Sequence, residues 1–217
     1  NRSVTIDNIT QLAYSGATEG PQNTSVTVKA TLTDPNLGAS VLPGRTVTFA
    51  LTGGTSVSAT TDGNGVATAT LPVSGPPRSA VVSASFAQTA YYKGSTATSA
   101  FGVGKNPSTT TLVPPSSVEH GEAVSFTAQV ARVNGTSEPT GTVQFTVDGT
   151  ALGAPVPVGA GTATSPPTDS LSTGSHTIGA SYSGDGNLIG SSATTREPTV
   201  GKAPTATVLT SFGSPTV

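Results

Sequence analysis

Two histidines, His120 and His176, are the side chains of this sequence whose ordinary titration range suits general base work near neutral pH. An imidazole becomes catalytic only beside a nucleophile and an orienting carboxylate. His120 stands between Glu119 and Gly121 and reads as part of a surface turn. His176 precedes Thr177 and Ile178 and reads as a strand residue on a solvated face. The two fall in different repeats or on different strands, so the sequence assigns no catalytic residue. There is no cysteine, which removes thiolate nucleophiles, thiolate metal sites and disulfides together. Asp62 with Asn64, and Asp185 with Asn187, offer oxygen ligands of the calcium type, but that ion gathers about six to eight oxygens. Each cluster supplies two side chains, and turn chemistry explains both. No metal ligand and no cofactor site is assigned.

Binding chemistry is equally sparse. Tyr91 and Tyr92 are adjacent, so in an extended segment they point to opposite faces and leave one exposed to meet a sugar or a partner. Tryptophan is absent, which weakens any carbohydrate-stacking platform. Asn1-Arg2-Ser3, Asn8-Ile9-Thr10, Asn23-Thr24-Ser25 and Asn134-Gly135-Thr136 fit the N-glycosylation pattern, as chance permits in a chain so rich in serine and threonine. The nine basic residues are scattered singly and the formal charge is −2, an unsuitable footprint for nucleic acid, whose binding rests on clustered Lys and Arg. No apolar run reaches the roughly 20 residues that span a bilayer, and Asn1 opens no signal segment, so an export signal or anchor is expected outside this stretch.

These residues must be held by strands. Charged residues make up 9% of the chain, against about 25% in an average soluble domain, while valine and threonine abound. β-Branched side chains suit a pleated strand and lose rotamer freedom in a helix. Apolar positions alternate: Val26, Val28, Ala30 and Leu32 face one way while Thr27, Lys29 and Thr31 face the other. Val124, Phe126, Ala128 and Val130 repeat the pattern. Val47, Phe49 and Leu51 correspond to Val143, Phe145 and Val147, and Val82, Ala84 and Phe86 to Ile178, Ala180 and Tyr182. Asp62-Gly63-Asn64-Gly65, Asp148-Gly149 and Asp185-Gly186-Asn187 separate such runs with residues that tolerate positive φ.

The chain also repeats itself. Ser83-Ala84-Ser85-Phe86 followed by Gly94-Ser95-Thr96-Ala97 recurs as Gly179-Ala180-Ser181-Tyr182 followed by Gly190-Ser191-Ser192-Ala193. The offset of about 96 positions suits one sandwich of about 100 residues. Gly104-Lys105-Asn106-Pro107-Ser108 then matches Gly201-Lys202-Ala203-Pro204-Thr205. Short alternating strands, frequent turns and no helical period predict an all-β fold, a sandwich in preference to a barrel.

Pro107 to Leu112, Pro139-Thr140-Gly141-Thr142-Val143-Gln144-Phe145 and the run from Gly174 to Asp185 together resemble the bacterial Ig-like repeat family, from about Pro107 to Lys202. The resemblance implies tandem Ig-like sandwiches in secreted or cell-surface bacterial proteins. The earlier unit is more divergent: Phe86 stands where Tyr182 does, and Ser74-Gly75-Pro76-Pro77-Arg78 lengthens a loop. Its run from Thr61 to Ala67 resembles related adhesin Ig-like domains. In the later unit Pro166-Pro167 interrupts a strand, because proline removes a ladder donor; an edge, a break or a loop is expected there. Tyr182 resembles the tyrosine corner of such domains.

The expectation is therefore a divergent repeat over 1–105, a second over 106–202, and over 203–217 the first strand of a third. Pro107 stiffens the short tether, and an end-to-end arrangement follows. The expected function is a non-catalytic, extracellular or cell-surface spacer whose partners are neighbouring repeats. An adhesive module recognising a surface ligand, and a fibre subunit adding its last strand to another subunit's sheet, are the alternatives.

Overall fold

The computed structural model describes residues 8–113 and 118–210. The sequon at Asn1 lies outside them. The chain divides into two compact units, the first taking it to Ser108 together with Arg132–Glu138 and Gly184–Ile189, the second holding the remainder.

In the first unit β1 (Gln11–Tyr14), β2 (Glu19–Pro21), β3 (Thr24–Asp34), β4 (Ser40–Val41), β5 (Thr46–Leu51), β6 (Ser56–Thr60), β7 (Val66–Val73), β8 (Arg78–Phe86) and β9 (Ser95–Gly104) form two sheets. One has β3 paired with β1, β4 and β7; the other runs β2-β9-β8-β5-β6. Pairing is antiparallel except for β2 with β9. The period-2 pattern closes these sheets on each other. Val28, Ala30 and Leu32 meet a core that also holds Val47, Phe49, Leu51, Val82, Ala84 and Phe86. Burying each Val, Leu or Phe side chain among them contributes about 1.5–3 kcal/mol.

Hydroxyls cover the outer face of the second sheet. Register places Ser58, Thr48, Ser85 and Thr96 side by side across four strands, with Thr48 Oγ1 and Ser58 Oγ 2.9 Å apart. Water is met by neutral polar groups where many domains use charge.

The second unit contains β10 (Ser108–Val113), β11 (Val118–Glu119), β12 (Thr127–Arg132), β13 (Thr142–Val147), β14 (Thr150–Ala151), β15 (Val156–Pro157), β16 (Thr162–Thr164), β17 (Gly174–Ser175), β18 (Ile178–Tyr182), β19 (Ser191–Ser192) and β20 (Thr199–Gly201). The sheets are β10-β12-β16, β11-β20-β17, and β14-β13-β18-β19 with β15 also on β13. Phe126, Ala128 and Val130 are buried, as are Val143, Phe145, Ile178, Ala180 and Tyr182. Both units are all-β, and the described residues contain no α-helix.

The diproline has the expected cost and a local remedy. β16 stops at Thr164, and the pairing resumes only as a bridge between Thr168 and Val124. In the gap the buried Ser165 acts as a substitute acceptor. Its hydroxyl receives the Phe126 N–H at 2.9 Å and donates to the Pro166 carbonyl, while its own N–H donates to the Phe126 carbonyl at 2.8 Å. Beyond β20, residues 203–210 are exposed and lie in no strand; the rest of the expected third-repeat strand falls outside the described residues.

Candidate functional site

The densest side-chain chemistry gathers in the second unit around the β13–β14 turn. Asp148 and Gly149 both take positive φ, 48° and 79°, joining Val147 to its partner Thr150 as a two-residue hairpin requires. Asp148 faces the segment before β18: its Oδ1 accepts the Thr177 N–H and its Oδ2 accepts His176 Nδ1–H, each at 2.7 Å. The other ring nitrogen, Nε2, donates to the Ser172 carbonyl at 2.9 Å, with the Ser172 hydroxyl at 3.3 Å. A cavity of about 280 Å³ lies alongside, lined by Val147, Leu152, Thr168, Leu171, Ser172 and His176 among others.

His176 therefore departs from the strand position on a solvated face that the sequence suggests. It follows β17 and precedes β18, and its side chain is only 11% exposed. Aspartate, histidine and serine are brought together, yet in an arrangement suited to holding loops. A general base must present a lone pair to the hydroxyl it activates; here both nitrogens face acceptors, and the Ser172 carbonyl is closer than its hydroxyl. The hydrogen bond to Asp148, supported by the Ser172 carbonyl, raises the His176 pKa above the usual histidine range. The same bond, with that from Thr177, lowers the Asp148 pKa. The result is a charged clasp between the β13–β14 turn and the Ser172–His176 loop.

The remaining sequence candidates stay apart. His120 is in a turn, with Nδ1 2.8 Å from the Leu171 carbonyl. Asp62 Oδ1 accepts the N–H groups of Asn64 and Val66, and Asp185 Oδ1 those of Asn187 and Leu188, so each carboxylate closes its own turn. Among the described residues no three His, Asp or Glu side chains gather as a metal site. Tyr91 is 77% exposed while Tyr92 packs against the first core; the pair lies at a bend and not in an extended strand. Tyr182 is buried at 4% exposure.

A second feature is shared by both units and is made of backbone. In the first, β2 pairs in parallel with the unit's last strand, β9, through Glu19↔Gly102, Gly20↔Val103 and Pro21↔Gly104. Flanking bonds run from Gly102 N–H to the Thr18 carbonyl at 2.9 Å and from Gln22 N–H to the Gly104 carbonyl at 3.0 Å. In the second, β11 pairs in parallel with β20 through Val118↔Val200 and Glu119↔Gly201, flanked by His120 N–H to the Gly201 carbonyl at 2.9 Å. Alternation in the sequence marks strands but carries no sign of which partner is parallel. Nor does it mark the clasp, whose two halves lie 28 residues apart.

No helix among the described residues is long and apolar enough to cross a membrane. No curated protein matches the chain. Among solved structures the chain is similar to a tetra-tandem repeat in the extending region of a large adhesion protein, at 20% identity and TM-score 0.41, covering 88% of this chain and 49% of that one. It is also similar to Salmonella alpha-2-macroglobulin reacted with methylamine (16%, TM-score 0.40, covering 91% and 16%) and to the Yersinia pseudotuberculosis adhesin InvE (17%, TM-score 0.40, covering 87% and 58%). In each case the chain spans less than two thirds of the other protein's length. Residues 110–201 match the family model of the bacterial Ig-like domain, group 3. Through that segment, which is less than half of its length, the chain is similar to the bacterial Ig-like repeats.

Proposed function

We propose that this chain is a non-catalytic, load-bearing spacer of an extracellular or cell-surface bacterial stalk, its units linked in series as the repeated tether sequences suggest. The observation that carries this reading is the parallel pairing of an early strand with the final strand in each unit. Tension applied along the chain slides two parallel neighbours past each other, so their hydrogen bonds and those flanking them are loaded together. An antiparallel hairpin pulled at its open end loses its bonds one after another. Shear resistance is thus supported by register, without large hydrophobic reserves. Separate cores favour the same role, because one unit can yield while the other stays folded.

Pulling single molecules of the whole chain tests this. Two discrete unfolding events are expected, each releasing on the order of 300 Å of chain for roughly 95 residues at about 3.3–3.6 Å per residue. A smooth extension without peaks would defeat the load-bearing reading.

A further inference from the structure

The first unit carries two arginines whose surroundings contrast. Arg78 is spent on its own loop, donating to the carbonyls of Ser74, Pro76 and Thr52. Arg45 is held differently. Its Nε is buried without a hydrogen-bond partner among the described residues, and its guanidinium lies over the Tyr92 ring, 5.0 Å from the centroid. Where Arg78 meets three carbonyls, Arg45 is held with a buried donor unspent.

The backbone that carries this side chain is fixed as well. Arg45 N–H donates to Thr61 Oγ1 at 2.8 Å, and Thr61 N–H returns to the Arg45 carbonyl at 2.8 Å. The buried Thr61 hydroxyl itself donates to the Leu42 carbonyl. Opposite, Thr89 Oγ1 accepts the N–H groups of Tyr91 and Tyr92, and Thr89 N–H donates to the Tyr92 carbonyl at 2.9 Å. This turn presents Tyr91 outward, 77% exposed, and Tyr92 to the arginine. A cavity of about 250 Å³ opens between the two turns, with Arg45, Thr46 and Thr89 on its walls and Phe86 in its lining.

From this geometry we propose a binding site for a carboxylated sugar, a uronate residue of an acidic glycan, as an activity additional to load bearing. A planar guanidinium pairs with a carboxylate through two parallel hydrogen bonds. The Tyr92 ring, 5.0 Å from the guanidinium, attracts it to this place before the ligand arrives. The cavity falls just below the roughly 300–1,000 Å³ of drug-sized sites, a fit for one sugar ring. Threonine hydroxyls meet ring hydroxyls, and exposed Tyr91 offers an apolar face with a polar tip for the next residue of the glycan.

The test is a titration of the whole chain followed through the Arg45 Nε–H resonance in the wild type and by calorimetry in every variant. The ligands are trigalacturonate, neutral galactotriose, sodium acetate and a tri-glutamate peptide. Trigalacturonate is expected to saturate the signal at millimolar concentration, with galactotriose silent. Arg45→Lys, which keeps the charge and loses the fork, is expected to weaken binding about tenfold or more. Tyr91→Ala, at an exposed position, is expected to weaken it about fivefold. Unchanged circular dichroism of both variants separates lost contact from lost fold. Silence with trigalacturonate overturns the proposal. So does acetate or tri-glutamate binding as tightly, which would make the site a general carboxylate or acidic-peptide site. Equal affinity of the Arg45→Lys variant and the wild type overturns it as well.

Discussion

Gly190 passes so close to Tyr182 that a Cβ at the glycine would stand 2.7 Å from the tyrosine carbonyl oxygen. The first unit repeats the approach: a Cβ at Gly94 would stand 2.9 Å from the carbonyl oxygen of Phe86. The contact is with backbone, which cannot swing aside as a flexible side chain would. An aromatic ending one strand and a glycine eight residues later thus form a single spatial feature.

Gly94→Ala and Gly190→Ala are each expected to destabilise by about 1–3 kcal/mol, the usual cost of forcing extra atoms into filled space. Because the cores are separate, each substitution is expected to shift one urea transition and leave the other in place. Gly186→Ala, with no atom within 4 Å of the added carbon, is the control expected to change little.

Ser165→Ala leaves the Phe126 N–H buried without its acceptor. The expected cost is about 1–3 kcal/mol, the desolvation penalty of an unmet donor. Chemical denaturation of the second unit measures it, and amide exchange at Phe126 is expected to accelerate.

The His176–Asp148 clasp predicts a stability plateau with two edges. A histidine pKa raised by folding contributes stability that is present below its unfolded value and lost as pH rises through the folded value. An aspartate pKa lowered by folding contributes stability that is present above its unfolded value and lost as pH falls through the folded value. The clasp is thus fullest in mildly acidic solution, between the two unfolded pKa values, and fades toward both extremes. Melting temperatures across pH are expected to show this for the second unit. His176→Asn is expected to flatten the alkaline edge; an unchanged profile in that variant would remove the clasp as its source.

For the parallel terminal pairs, Gly102→Pro removes the N–H that bonds the Thr18 carbonyl. Gly102→Ala retains it, and its Cβ would meet Glu19 Cβ at an ordinary 3.8 Å. The proline variant is expected to lower the first unit's unfolding force by roughly a third, since one of about three to four loaded bonds is lost, with the alanine variant close to wild type. Equal forces for both would detach mechanical strength from this strand pair.

Much of this architecture is legible in the residues. Alternation exposes Val28, Ala30 and Leu32 as one face because a strand's side-chain period is two, and the structure buries all three. Asp62 and Asp185 announce turns through short carboxylates that bond nearby N–H groups, and Asp148 does so through its pairing with Gly149 at positive φ. The break at Pro166-Pro167 follows from a missing donor, whereas the rescue by Ser165 does not, since serine is common here and only its placement opposite Phe126 distinguishes it. His176 is misread for a related reason. Its neighbours mark a strand, but its environment is set by Asp148 across a hairpin, and pairing between distant segments is written in register. The β1 strand and the Arg45–Tyr92 stack likewise depend on tertiary contact and leave no local periodic trace.

The row of Ser58, Thr48, Ser85 and Thr96 has a consequence for the response to salt. Dissolved ions screen charge over about 10 Å at 0.1 M and far less in brine, so a fold kept soluble by charged side chains responds to each change in salinity. Hydroxyl dipoles hydrate with little regard for ionic strength. A sheet face clothed in them would keep its hydration from dilute solution to brine.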